Sequence, residues 1–395
     1  MRYQSYFNTA LFIVQQYKGE MPLAHFLKQY FVQHKKHGSR DRKLIAHLCY
    51  AYFRLGKSLL NERPENRLKI AMYLLLDQPG EWQIIFEKEW LANWPLNLLE
   101  RWYLLKQKHP ELNECTIFPF QNAFSCDLDV HAFIHSFFIQ PNTFIRVRPG
   151  WYQTVLQQLY QAGISFQAIN DYTISFPAAT NIARYLTNEE AYVVQDYSSQ
   201  QVLTLMQLIK DNDSTLAVWD CCAASGGKSI LANDVWGNIQ LTVSDVRESV
   251  LHNLVQRFKQ AKIKNYTAVI ADVSKPLPTQ LANKQFEVII ADVPCTGSGT
   301  WSRTPEQLYF FSSKQIENYS LLQKDIVHKV IPQLKPGGYF LYITCSVFKQ
   351  ENEQIVNQII QQEGLHLIKQ LLLTGYHIQA DTMFAALLQK PMNSK

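Results

Sequence analysis

The 395-residue sequence predicts a doubly wound α/β domain in its carboxyl-terminal half, preceded by a helical segment and a small α+β module. Three observations carry that prediction. From about residue 198 onward, short apolar runs alternate with helical stretches, the pattern of repeated βα units. Residues 1–115 place apolar side chains three and four apart, with no alternating stretch to suggest a strand. Between them, 140–197 mixes strand-like runs with one helical run. The expected domains are 1–125, 126–197 and 198–395.

In the first segment, Ala10, Leu11, Ile13, Val14 and Tyr17 mark one amphipathic helix. Leu44, Ile45, Leu48, Cys49, Tyr52 and Phe53 mark another. Pro22, Gly38, Pro64, Pro79–Gly80, Pro95 and Pro110 divide the segment into short helices. Lys28, Lys35, Lys36, Arg40, Arg42 and Lys43 crowd one stretch in which Asp41 is the only acid. That stretch reads either as a solvated helix end or as a phosphate-binding patch, and Tyr30 and Phe31 within it either as core or as part of the patch. The middle module runs from a strand at Phe144–Arg148 to a helix over 151–162 that Gly163 ends. Strands over 165–169, 173–176 and 191–194 follow. In the last domain, 216–219, 241–243, 266–271, 288–291 and 339–343 are strands apolar enough to be buried on both faces. Helices are expected over 229–235, 248–261, 314–334 and 350–362.

Composition narrows the class. Apolar residues at 47% and charged residues at 18% exclude wholesale disorder, and a net charge of +5 names no partner. Seven cysteines at irregular spacing form no disulfide framework. The amino terminus lacks a secretory h-region, and no apolar run approaches the ~18 residues of a membrane span. A soluble, cytoplasmic protein with reduced thiols is expected, with no membrane partner and no metal, and a monomer.

Ligands of doubly wound sheets bind at the carboxyl ends of the strands. Here Asp220, Asp245, Asp272 and Asp292 each follow a strand. One such acid is an ordinary turn residue or helix cap, but four in succession mark the ligand edge. The first strand leads into Asp220-Cys-Cys-Ala-Ala-Ser-Gly-Gly-Lys-Ser229, whose small residues admit a ligand close to the backbone. Cys222 stands where a phosphate-cradling loop needs glycine, and no GxGxxG is present. Asp245 lies about twenty residues past Gly226, the spacing at which a carboxylate meets a ribose diol. A nucleoside without phosphates fits best, with S-adenosylmethionine the leading candidate. Cys295 and Cys345 end the fourth and fifth strands, so adjacent strands would bring them together. With no CxxC and few histidines nearby, zinc is not indicated. Cys49, Cys115 and Cys126 read as packing, and Cys221 reads with Cys222 as part of the loop.

The run Asp220–Ser229, the element Asp292-Val-Pro-Cys295, and Pro336–Ser346 followed by Glu351-Asn-Glu353 resemble the RNA 5-methylcytosine methyltransferases of the RsmB/Nop/Sun group. The resemblance covers about 195–390. More weakly, Gly38–Arg42 and Tyr50–Arg54 resemble that group's NusB-like amino-terminal extension, and Gln195–Gln200 resembles the segment leading into its catalytic domain. It implies a class I (Rossmann-like) methyltransferase domain using S-adenosylmethionine, an all-α NusB-like domain and a small RNA-binding-type module. It further implies that Cys345 adds covalently to cytosine C6, Asp292 stabilises the adduct, and Cys295 assists release. Lys228 would line the site, although a lysine at a helix start is also an ordinary surface residue. Backbone of Cys222, Ala223, Ala224, Ser225, Gly226, Gly227 and Lys228 would hold the methionine end of the cofactor. Asp245 would take the ribose, Asp272 the adenine amino group, and Asp292 would border the same pocket. The chain departs from the group's pattern at Ser225 (usually Pro), at Val250 (usually Arg) and in Asp381-Thr-Met-Phe384 (usually Asp-Gly-Phe-Phe).

Ribosomal RNA is the preferred partner because the amino-terminal extension resembles that of the small-subunit enzyme, and transfer RNA stays open. Amino-methylating enzymes of this fold carry Asn/Asp-Pro-Pro-aromatic where this chain has Asp292-Val-Pro-Cys295. DNA cytosine enzymes place the nucleophile in the fourth-strand Pro-Cys. A non-catalytic RNA-binding or ribosome-assembly factor is the remaining alternative, and it would need no thiol pair.

Overall fold

The computed structural model describes residues 2–209, 215–237 and 239–392. By packing, the chain falls into two units, one of residues 1–122, 129–140 and 300–313, the other of 123–128, 141–299 and 314–395. Packing thus divides the chain differently from composition. The α+β module shares a unit with the α/β domain, and a stretch beyond the fourth strand of that domain joins the helices. Aromatic burial explains the second point. Trp301 is buried and stacks on Phe118 with ring centres 5.5 Å apart, while Phe310 meets Tyr17 edge-on at 5.4 Å.

In the first unit, helices Arg2–Gln16, Leu23–Gln33, Ser39–Phe53 and Pro64–Leu75 follow the three-and-four spacing. Tyr6, Phe7, Ala10, Leu11, Ile13 and Val14 all face inward. Pro64 occupies a first-turn position where no amide hydrogen is needed. Asn97 and Glu100 close a reciprocal cap at the start of Leu98–Lys108. Three buried guanidiniums are tolerated because they donate to backbone carbonyls: Arg54 to Phe137, Arg67 to Gly56 and Ser58, and Arg101 to Leu76. In the basic stretch, Lys28, Lys35, Lys36, Arg40 and Lys43 are exposed, whereas Tyr30 and Phe31 are core.

The second unit holds two sheets. The smaller comprises β1 (Thr143–Val147), β2 (Gln167–Ala168), β3 (Thr173–Phe176) and β4 (Tyr192–Val194), antiparallel in the order β2-β3-β1-β4. Helix Tyr152–Ala162 packs Val155 and Leu159 against Ile145, Val147, Ile174 and Phe176. Gly163 ends that helix in the left-handed region at φ 63°.

The larger sheet contains β5 (Leu216–Asp220), β6 (Ile239–Asp245), β7 (Tyr266–Ile270), β8 (Phe286–Asp292), β9 (Leu334–Thr344), β10 (His366–Thr374) and β11 (Thr382–Gln389). Their order is β10-β11-β9-β8-β5-β6-β7, with β11 antiparallel to both its neighbours and every other neighbouring pair parallel. Val288 and Ile290 enter one core and Ile289 and Ala291 the other, as continuous apolar strands require. Strand β7 departs from that expectation: as an edge strand it leaves Thr267, Ala268 and Ile270 exposed. The β10–β11 hairpin lies outside the strands expected from sequence, and it closes the other edge. The helix expected from 350 begins at Glu353, because Glu351 and Asn352 belong to the turn before it. Chain order reverses between β5 and β8, the switch point beside whose carboxyl ends ligands of such sheets bind.

Candidate active site at the strand ends

Register aligns the strand-end residues. Asp220 lies opposite Val243 and Ile290, Asp245 opposite Ile270, and Asp292 opposite Ile343. Asp220 is fully buried and accepts from the Ser229 hydroxyl at 2.6 Å, while its second oxygen has no partner among the described residues. Burial pushes its carboxyl up to about 7.

The loop after β5 is pinned at both ends. The Cys221 amide donates to Ile290 and the Ala223 amide to Ser244. It turns through two left-handed residues, Ala224 at φ 46° and Gly226 at φ 79°. A side chain at Gly226 would also strike Phe258 at 2.8 Å, so glycine is required twice over. Asp245 reaches under this loop and accepts from the Ala224 amide at 3.1 Å. Arg247 covers the same carboxylate, donating through its backbone amide at 2.9 Å and its Nε at 3.1 Å. Ser225, where the resemblance expects proline, is held instead by Arg257, whose Nη1 donates to both the Ser225 carbonyl and hydroxyl. Asp272 accepts from the Ser274 hydroxyl and amide and pairs with Lys275, which together hold its carboxyl below the ordinary range.

Lys228 is buried rather than a surface residue, being only 6% exposed. Its Nζ donates to Asp292 Oδ2 at 3.0 Å and to the Ser199 hydroxyl at 2.7 Å. Gln195 also donates to Ser199, and Arg146 of β1 donates to Gln195. The small sheet is thereby linked to Asp292 through four hydrogen bonds. Cys295 Sγ and Cys345 Sγ lie 3.1 Å apart. The hydrogen bond to Cys345, together with burial, holds the Cys295 thiol well above its usual range, and either sulfur can be the donor between them. Gly299 supports the fifth strand end by donating to the Cys345 carbonyl at 2.9 Å, in a space where any side chain would meet the Thr382 backbone.

Structure therefore groups the predicted residues into a Lys228–Asp292 pair, a Cys295–Cys345 pair, and the Cys222–Lys228 loop above Asp245. Sequence reasoning missed Ser199 and Arg257, whose partners lie 29 and 32 residues away, and Arg247, whose partner Asp245 is only two residues back. Three cysteines also differ from expectation: Cys221 packs fully in the core, and Cys115 and Cys126 are exposed, leaving only Cys49 of its group as packing. In the first unit, Glu114, His131 and His135 converge within 4.8 Å. Lys106 stands 3.9 Å from that carboxylate and supplies its countercharge, and the outer nitrogen of His135 lacks the orienting partner that metal-bound imidazoles have. Among the described residues, no helix is long and apolar enough to cross a membrane.

A seven-stranded sheet in this order, with acids at the strand ends around a small-residue loop, defines the class I fold of S-adenosylmethionine-dependent methyltransferases. Residues 205–388, just under half of the chain, match the family model described as 16S rRNA methyltransferase RsmB/F. It is similar to ribosomal RNA small subunit methyltransferase B of Proteus mirabilis, 31% identical over 42% of this chain and 38% of that one. The protein of the same name from Yersinia pseudotuberculosis is 29% identical over 46% of this chain and 40% of that one. The aligned region thus spans about two fifths of the length of these relatives. Among solved structures, PH0851 matches 96% of this chain and 97% of its own at a TM-score of 0.69 and 18% identity. NSun6 from Pyrococcus horikoshii, solved with SFG, matches 69% and 96% at 0.56 and 16% identity. At such identities these likenesses speak for the fold.

Proposed function

We propose that this protein is an S-adenosylmethionine-dependent RNA cytosine-C5 methyltransferase that acts on ribosomal RNA. The observation that carries the reading is the thiol pair Cys295–Cys345 at 3.1 Å, beyond the ends of adjacent strands, the first of which ends in Asp292 of the Lys228–Asp292 pair. The names of the curated relatives favour small-subunit ribosomal RNA as substrate.

The site fits a nucleoside sulfonium better than a nucleotide. Lys228 is tied to Asp292 and Ser199, whereas a phosphate-binding lysine would face the loop's ligand. Asp245 presents a carboxylate under the loop, and Arg247, whose side chain is 60% exposed, can swing away to yield it to ribose hydroxyls. Cys222 to Lys228 would supply the backbone around the methionine end, and Asp272 the contact to the adenine amino group. When bound, S-adenosylmethionine supplies an electrophilic methyl group.

The chain's own residues prepare the base. Cytosine C5 is a weak nucleophile, and addition of the Cys345 thiolate to C6 converts it to an enamine. Asp292, fixed by Lys228, hydrogen-bonds the pyrimidine edge as charge develops there. After methylation, water takes the C5 proton, the C5–H electron pair forms the C5=C6 double bond, and the C6–S bond breaks to expel Cys345 as thiolate; Cys295 acts on this release step. The target cytosine must be unpaired or flipped from its stack. The need for a free thiolate also favours the reducing cytoplasm.

Labelled methyl transfer to ribosomal and to transfer RNA tests the reading. Incorporation into ribosomal RNA, absent with Cys345→Ala, is the expected result. Full incorporation by Cys345→Ala would overturn the nucleophile assignment, and labelling confined to transfer RNA would overturn the substrate.

A further inference from the structure

We infer that Glu351 is a positioning residue that holds the Cys295 and Cys345 loops in register through a single carboxyl group. The inference concerns a residue outside the reacting set, and its catalytic consequence rests on the function proposed above.

Glu351 is fully buried in the turn between β9 and helix Glu353–Glu363. Its Oε1 accepts from the Thr296 amide at 2.8 Å and from Gln323 Nε2 at 3.0 Å. Its Oε2 accepts from the Thr296 hydroxyl at 2.6 Å and the Ser346 hydroxyl at 2.5 Å. Thr296 follows Cys295 and Ser346 follows Cys345, so both contacts are one residue from a thiol. Gln323 also donates to the Pro294 carbonyl, which brackets Cys295 from the other side. The turn carrying Glu351 is itself held, because Tyr342 donates to the Glu351 carbonyl and Asn352 donates to the Ser346 carbonyl.

Four donors converging on one buried carboxyl are more than packing requires. Helix Glu353–Glu363 covers its own apolar face with Ile355, Val356 and Ile359 and does not need this acid for that purpose. What the four bonds determine is the placement of two loops from different strands, and the thiol separation follows from it. Covalent catalysis with a separate releasing group is sensitive to displacements of about 1 Å, which can cost roughly 100-fold in rate.

Glu351→Gln is the diagnostic variant. Its carbonyl oxygen can accept from the two N–H donors, and its amide nitrogen can donate to the two hydroxyl oxygens once these rotate. Positioning therefore survives without the charge. Glu351→Ala removes the acceptor that all four donors share and frees the loops.

The full chain and its variants are treated with phenylarsine oxide, which bridges two thiols within bonding reach, and the capture that disappears in Cys295→Ala is scored. Glu351→Ala should slow this Cys295-dependent capture by about tenfold, and lower kcat for methyl transfer by roughly 100-fold with KM little changed. Glu351→Gln should stay within about threefold of wild type in both. Ser346→Ala, which removes one of the four bonds, guards against a variant that fails to fold, and should slow capture by about threefold. Wild-type capture in Glu351→Ala or in Ser346→Ala, or a Gln variant as impaired as the Ala variant, would overturn the inference. A wild-type protein that captures the arsenical but transfers no methyl group would count against the proposed function and not against Glu351.

Discussion

The Lys228–Asp292 pair is asymmetric, and that asymmetry yields a quantitative prediction. The Lys228 side chain is 7% exposed and that of Asp292 30%. Asp292→Ala strands a buried ammonium with, among the described residues, only the Ser199 hydroxyl as partner, a situation that costs about 3–5 kcal/mol. Lys228→Met strands a carboxylate that water already reaches, so the penalty is discounted to about 1–2 kcal/mol. At roughly 2–4 °C per kcal/mol for a unit of this size, Asp292→Ala should melt well below Lys228→Met. Urea and thermal unfolding of both variants, followed by circular dichroism, measure the difference. Equal losses, or a larger loss for Lys228→Met, would show that the buried ammonium does not depend on Asp292 and would remove the basis for assigning Lys228 to its positioning.

Further outcomes follow from individual side chains. Asp220, raised to about 7 from an ordinary carboxylate value, binds a proton more tightly folded than unfolded, so its contribution to stability falls as pH rises from about 4 through 7. Asp220→Asn should flatten the pH–stability profile in that window, and a profile unchanged from wild type would contradict the buried carboxyl. Arg257→Ala should weaken S-adenosylmethionine binding several-fold by calorimetry, because it releases Ser225 in the proposed cofactor loop; unchanged affinity would leave the arginine with no part in the site. Reversing Lys35, Lys36 and Arg40, all exposed, should reduce the salt dependence of RNA binding by about one counterion for each phosphate no longer neutralised. An unaltered salt slope would return the patch to ordinary solvated surface.

How much of this is legible in the sequence depends on the range over which each signal acts. Strands β5, β8 and β9 are readable because burial on both faces demands continuous apolar runs. Strand β10 is not, since it lies at the sheet edge and runs through exposed His366 to Gln370. The thiol pair is readable because Cys295 and Cys345 each follow a strand. Lys228 is readable from its loop, but its burial is not. Ser199 lies 29 residues from Lys228 and Arg257 lies 32 from Ser225, so no periodicity or spacing rule could pair them. Glu351-Asn-Glu353 stands out as a motif but carries no role by itself, because that role depends on Thr296, 55 residues away. Residues 300–313 belong to the α/β domain by their place in the chain, whereas Trp301 stacks on Phe118 and Phe310 meets Tyr17 in the other unit.

The central claim is that Cys345 attacks the base and Cys295 lets it go. Incubating Cys295→Ala with S-adenosylmethionine and ribosomal RNA, then separating the products on a denaturing gel, tests it most directly. The account predicts a slower, nuclease-sensitive protein band that accumulates in Cys295→Ala and vanishes in the double variant with Cys345→Ala. No adduct under turnover conditions, or an adduct that persists without Cys345, would contradict it.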